Sequence, residues 1–138
     1  MITISELVRV ILKGLPPTVN HMYRTGRNGI RYKRIEVEEW QEEVSGIIRE
    51  AWGEKLPYEG NVEVRVVFRV KDNRRWDIDN RLKALFDCLE EGGAIKNDTQ
   101  IWGIKAQRVS GEKDMTEIEM IEYPDHIIKY ENGVWNIP

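Results

Sequence analysis

The stretch Lys71–Gln100, KDNRRWDIDNRLKALFDCLEEGGAIKNDTQ, holds a helix, its stop and a set of carboxylates. Ile78, Leu82, Leu85, Phe86 and Leu89 recur at helical spacing. Gly92-Gly93 then stops the helix and folds the chain back. Asp79, Lys83 and Asp87 stand four apart, drifting only about 40° per step, and so share the opposite face of this helix. Residues two apart on a helix diverge by about 200°. If Asp77 and Asp79 are to face one ion, Asp77 must lie in the approach to the helix, where an aspartate is also a good N-cap.

The glycine turn returns Asp98 toward the start of the helix or toward a neighbouring strand end. Three carboxylates and one lysine then converge. Oxygen ligands of this kind suit a hard divalent cation such as Mg²⁺, which keeps waters able to act as nucleophile. A lysine beside them suits a phosphate oxygen or developing negative charge. Arg74 and Arg75 would hold flanking backbone phosphates. Each piece alone has a plainer use. Asp77 caps, Asp79–Lys83–Asp87 forms a solvated ladder of ion pairs, and Asp98 makes a turn. Their order in combination is the stronger signature.

The run RRWDIDNRLKALFDCLEEGGAIKNDTQI resembles the RusA family of Holliday-junction resolvases, whose pattern is D-x-D-N, then K, then D-x-L, and a further D after a glycine turn. Leu15-Pro16-Pro17-Thr18-Val19-Asn20 followed by Tyr23-Arg24 resembles the family's Pro-Pro-x-x-Asn-x-x-Tyr segment. The resemblance spans roughly residues 5 to 123. It implies that Asp77, Asp79 and Asp98 bind the metal and that Lys83 is the catalytic lysine. Position 97 is a departure, with Asn where many relatives carry a second acid.

At 138 residues the chain is long enough for one domain with an ordinary core. The net charge of −3 does not advertise a nucleic-acid binder, but its distribution is uneven. Residues 1–35 hold seven Lys/Arg against Glu6 alone, and residues 69–83 hold six against three Asp. Phosphate attraction acts locally, so two such stretches merging on one surface would suffice. Cys88 is the only cysteine, which excludes an internal disulfide and a cysteine zinc site and suits a small apolar core residue. No signal peptide is apparent and no apolar run approaches the ~20 residues that cross a bilayer. The expected location is the cytoplasm, with no membrane partner.

Along the chain, residues 6–13 read as a strand with Val8, Val10 and Leu12 on one side. Residues 18–34 read as a long polar loop. Arg24, Arg27, Arg31, Lys33 and Arg34 are interleaved there with Tyr23 and Tyr32, a composition suited to phosphate contact and to stacking on unpaired bases. With Asn20, Arg74 and Arg75 these are the expected DNA-binding residues; Tyr32 stands beside them for its stacking face. His21 reads as merely polar.

A helix from Glu36 would bury Val37, Trp40, Val44, Ile47, Ile48 and Ala51. Asn61 to Val70 is the clearest strand, with Val62, Val64, Val66, Phe68 and Val70 on one face. Thr99 to Val109 and Met115 to Tyr123 read as two further strands joined by a hairpin loop. Trp76 reads as core or interface packing rather than a base-stacking platform. Residues 1–123 then form the RusA-like endonuclease domain. Residues 124–138 form a C-terminal extension anchored by Ile127, Ile128 and Trp135.

The expected fold is α/β (α+β): a single-domain two-layer sandwich. A mixed sheet of about four strands carries two helices on one face, in the order β-α-β-α-β-β. The expected function is a Mg²⁺-dependent endonuclease resolving Holliday junctions, with Mn²⁺ as a possible substitute, in DNA recombination and repair. A homodimer would present two matched sites to a four-way junction. The alternatives are a non-catalytic DNA-binding module on the same scaffold, or a nuclease acting on other branched DNA.

Overall fold

Alternating valines make one strand the centre of the molecule. The structure, a computed structural model, describes residues 6–124 and 129–136. Its main sheet is built from β1 (Glu6–Lys13), β4 (Val62–Val70), β5 (Ile101–Ser110) and β6 (Met115–Glu122), in the order β1-β6-β4-β5. In β4, Val62, Val64, Val66, Phe68 and Val70 are all buried on one face, as period-two alternation dictates. β1 pairs antiparallel with β6, β6 antiparallel with β4, and β4 parallel with β5. The sheet is mixed, as expected.

Helices α1 (Ile35–Trp52) and α2 (Leu82–Glu91) cover the valine face. Val44, Ile48 and Trp52 of α1 join Leu82, Leu85, Cys88 and Leu89 of α2 in one core with β1, β4 and β6. The buried stripe of α1 differs from the periodic reading. Ile47 and Ala51 are exposed, whereas Ser45 and Trp52 are buried. Ser45 and Ile48 lie against Gly92 at the end of α2, where a Cβ would stand 2.8 Å from Ile48 Cγ2 and 2.9 Å from the Ser45 carbonyl oxygen.

Three further sequence expectations are corrected. Residues 18–34 are not a plain loop. A 3-10 turn at Val19–His21 leads into the hairpin β2 (Tyr23–Thr25) and β3 (Arg31–Lys33). Asn28 shapes the turn by accepting from the Ile30 N–H at 3.0 Å, and Tyr32 packs so closely over Gly26 that a Cβ would meet its ring at 2.8 Å. Buried Met22 fixes the hairpin to Val37 of α1 and Ala84 of α2. The element order therefore carries an extra hairpin before α1.

β5 and β6 do not form a hairpin. β4 lies between them, and the link of residues 111–114 passes over its end, where the Gly111 N–H donates to the Val70 carbonyl at 3.1 Å. Third, α2 starts at Leu82. Asp79 belongs to the 3-10 turn Asp79–Arg81 ahead of it.

Beyond Pro124, β7 (Lys129–Glu131) and β8 (Val134–Asn136) form a short antiparallel hairpin. Ile127 and Ile128 lie outside the described residues, and Trp135 falls within β8. No helix among the described residues is long and apolar enough to cross a membrane.

Candidate active site

The chain leaves β4 at Val70 and crosses the end of the sheet to α2, carrying the aspartate motif with it. Arg108 of β5 ties this crossing down. It donates through Nη1 to the Arg74 carbonyl at 2.7 Å and through Nη2 to the Asp72 carbonyl at 2.8 Å. Its register partner on β4 is Phe68, and Trp76 stands edge-on to Phe68 with centroids 5.3 Å apart. The guanidiniums of Arg81 and Arg108 lie 4.7 and 5.1 Å from the Trp76 ring centroid. Trp76 is thus packing, as expected, and its ring is engaged by protein groups.

Asp77 and Asp79 are exposed. Asp77 accepts a long 3.4 Å contact from the Asn80 side chain and makes no N-cap bond to α2, whose cap position is Arg81. Arg81 Nη1 donates to the Pro16 carbonyl at 2.6 Å, joining the aspartate motif to the Pro-Pro segment. The 3-10 turn bearing Asn20 touches the one bearing Asp79. The two basic stretches are therefore neighbours.

Lys83, on the first turn of α2, is half exposed, and its Nζ lies 2.8 Å from Asp87 Oδ1 and 3.3 Å from Asp98 Oδ2. The hydrogen bond to Asp87, then that residue's charge and the contact with Asp98, hold the ammonium above its ordinary lysine value despite partial burial. Asp98 opens the 3-10 turn Asp98–Gln100. The turn is capped by Asn97, which accepts from the Thr99 N–H at 2.9 Å in a capping box with Gln100. The residue at the departure from the family pattern is thus a cap.

The glycine turn returns Asp98 to the first turn of α2. Asp98 meets Lys83 directly, whereas Asp77 and Asp79 lie along the approach to that turn. Among the described residues, no group of three or more His, Cys, Asp or Glu side chains is close enough to hold an ion as it stands. The donor type is right for a hard cation, since every candidate is a carboxylate oxygen. The exposure of Asp77 and Asp79 leaves their oxygens available.

The DNA-facing candidates divide. Arg24, Arg27 and Arg31 are exposed on the hairpin. Arg31 lies 4.1 Å over the Tyr23 ring and Arg24 5.3 Å over the Tyr32 ring, so arginines already occupy a face of each aromatic expected to stack on bases. Lys33 donates to Gln41 Oε1 at 2.7 Å, and Gln41 donates on to Glu91. That chain fastens the hairpin to both helices. Arg34 is half-buried at the cap position of α1, with its N–H on the Met22 carbonyl at 2.9 Å. Arg75 is exposed, and Arg74 is exposed and paired with Asp72 at 2.9 Å. The Arg74 backbone N–H, ahead of its side chain, holds the Asp72 carboxyl below its usual range. His21 Nε2 stands 3.2 Å from Glu36, a surface contact.

The Endodeoxyribonuclease RusA family model matches residues 14–121. The chain belongs to the RusA family. It is 31% identical over 105 residues to the crossover junction endodeoxyribonuclease RusA of Aquifex aeolicus, covering 75% of this chain and 82% of the relative. It is 30% identical over 112 residues to the RusA proteins of Escherichia coli K12 and of Enterobacteria phage 82, covering 76% of this chain and 89% of each relative. The match to the RusA family contains the Pro-Pro segment, the hairpin, the aspartate motif, Lys83 and Asp98.

Sequence reading put Asp87 on the Lys83 face without giving it a role, although its i+4 spacing was visible. It missed Arg81 and Arg108. Neither has a local signature, because one acts through a contact 65 positions away and the other through contacts 34 and 36 positions away.

Proposed function

We propose that this chain is a divalent-metal-dependent endonuclease that cuts branched DNA, with four-way junctions as its substrate, in recombination and repair. Asp77, Asp79 and Asp98 would hold Mg²⁺, or Mn²⁺ in its place. When bound, the cation supplies an activated water and neutralises charge on the scissile phosphate. Lys83 directs its ammonium at a phosphate oxygen and stabilises charge that builds there. Arg24, Arg27 and Arg31 on the hairpin, with Arg74 and Arg75 beyond β4, take the flanking phosphates and set the strand's register on the protein.

The observation that carries this reading is the approach of Lys83 Nζ to Asp98 Oδ2, 3.3 Å, on the helix turn that Asp79 leads into. A pure DNA-binding module has no use for carboxylates gathered beside its phosphate contacts, because they repel the backbone. Two copies of the chain, one per cut strand, match the two-fold symmetry of a four-way junction. The protein works in the cytoplasm.

Asp79→Asn tests the reading. Cleavage should be abolished while junction binding in metal-free buffer is retained or tightened, since one repelling charge has gone. An Asp79→Asn protein that cuts at the wild-type rate removes this aspartate from the mechanism.

A further inference from the structure

Lys83 is a long side chain on an exposed turn, and a free lysine there would sample many rotamers. It does not stand free. Its shorter contact is to Asp87 at 2.8 Å, and the Asp87 side chain is only 18% exposed, against 39% for Asp98. Asp87 sits on α2 between buried Leu85 and buried Cys88 and Leu89, so its backbone is anchored in the core. Asp98 sits on a short 3-10 turn.

The pair contributes little to the helix itself. A lysine four residues ahead of an acid is the weaker orientation of such a pair, and even the better one adds little to a helix. If Asp98 serves a cation, its charge would be shared between that ion and Lys83. Asp87 is then the remaining fixed partner of the ammonium.

We propose that Asp87 is the positioning residue of Lys83, holding the ammonium over the reacting phosphate. This rests on the reading of Lys83 given above. The experiment is a double-mutant cycle in the full chain on a labelled four-way junction with Mg²⁺, under single-turnover conditions, with junction affinity measured separately. The variants are Lys83→Ala, Asp87→Ala, Asp87→Glu and the double alanine form.

Asp87→Ala should slow cleavage by about 10- to 100-fold, the scale of a misplaced catalytic group, with affinity unchanged within about twofold. Asp87→Glu should recover part of the rate. The double variant should be no slower than Lys83→Ala within about threefold, because residues acting as one unit are not additive. If Lys83→Ala is slow but Asp87→Ala cuts normally, or if the two losses multiply, the positioning role fails and the reading of Lys83 stands. If Lys83→Ala itself cuts at the wild-type rate, both fail. Should the alanine form not fold, Asp87→Asn replaces it in the cycle, with the same outcomes.

Discussion

Lys83 and Asp98, 15 positions apart in the chain, meet at 3.3 Å between Nζ and Oδ2. The contact requires the whole of α2 and the glycine turn after it. Gly93 takes φ +82°, and the backbone N–H groups of Gly93 and Ala94 cap the last carbonyls of the helix, so the chain can return along it. Lys83→Ala should reduce junction cleavage by about 100-fold, the loss typical of one preorganised charge donor. Junction affinity should change little. Equal loss of cleavage and binding would make Lys83 a phosphate anchor only.

The hairpin presents its arginines as a prepared surface, with Arg31 braced on Tyr23 and Arg24 on Tyr32. Replacing Arg27 and Arg31 together by alanine should weaken junction binding. It should also flatten the plot of log affinity against log salt by up to about 2, since each lost phosphate contact removes roughly 0.9 from the slope. Binding titrations between low and moderate salt check this; an unchanged slope would take both residues off the DNA.

Arg108 holds the crossing segment from the neighbouring strand β5 through two carbonyls and the Trp76 ring. Arg108→Ala should cost about 1–2 kcal/mol, the lower end for charge-assisted bonds because the site is partly solvated. Thermal unfolding measures that cost. Hydrogen exchange should rise in residues 71–77 ahead of the rest of the chain.

Gly92 lies where α2 meets α1, and an added Cβ would stand 2.9 Å from both the Cys88 and Ser45 carbonyl oxygens. Backbone cannot yield cheaply, so Gly92→Ala should destabilise by about 1–3 kcal/mol, as overpacked cores do. Denaturant melts of the variant and wild type give the difference.

Cys88 is fully buried, and burial pushes its thiol up to about 12. The native protein should resist thiol reagents at pH 8, and the unfolded chain, with an ordinary thiol near 8.5, should react. Because the unfolded chain ionises first, this group's contribution to stability is intact below the ordinary thiol value. It is lost as pH rises from there toward 12. Fast labelling in native buffer would contradict the burial.

Much of this was legible in the residues. The alternation of Val62 to Val70 named the central strand, and the Leu82, Leu85, Leu89 spacing named α2. Asp79 was misplaced onto α2 because a 3-10 turn continues the apolar spacing from Ile78 to Leu82 with no break in pattern. The separation of β5 from β6 was hidden, because a parallel pairing such as that of β4 with β5 leaves no turn signature between the partners. The hairpin in residues 19–33 was concealed by its polarity: Met22 is its one fully buried residue. Arg108 gains its role only from the register that puts it beside Phe68.

The decisive experiment incubates the purified full chain with a labelled four-way junction and a matched linear duplex, with Mg²⁺ or with EDTA. The prediction is paired cuts in the junction with Mg²⁺ only, and a duplex left largely intact. A junction that stays whole in Mg²⁺, or one cut equally well in EDTA, would contradict a metal-dependent site built from Asp77, Asp79, Asp98 and Lys83.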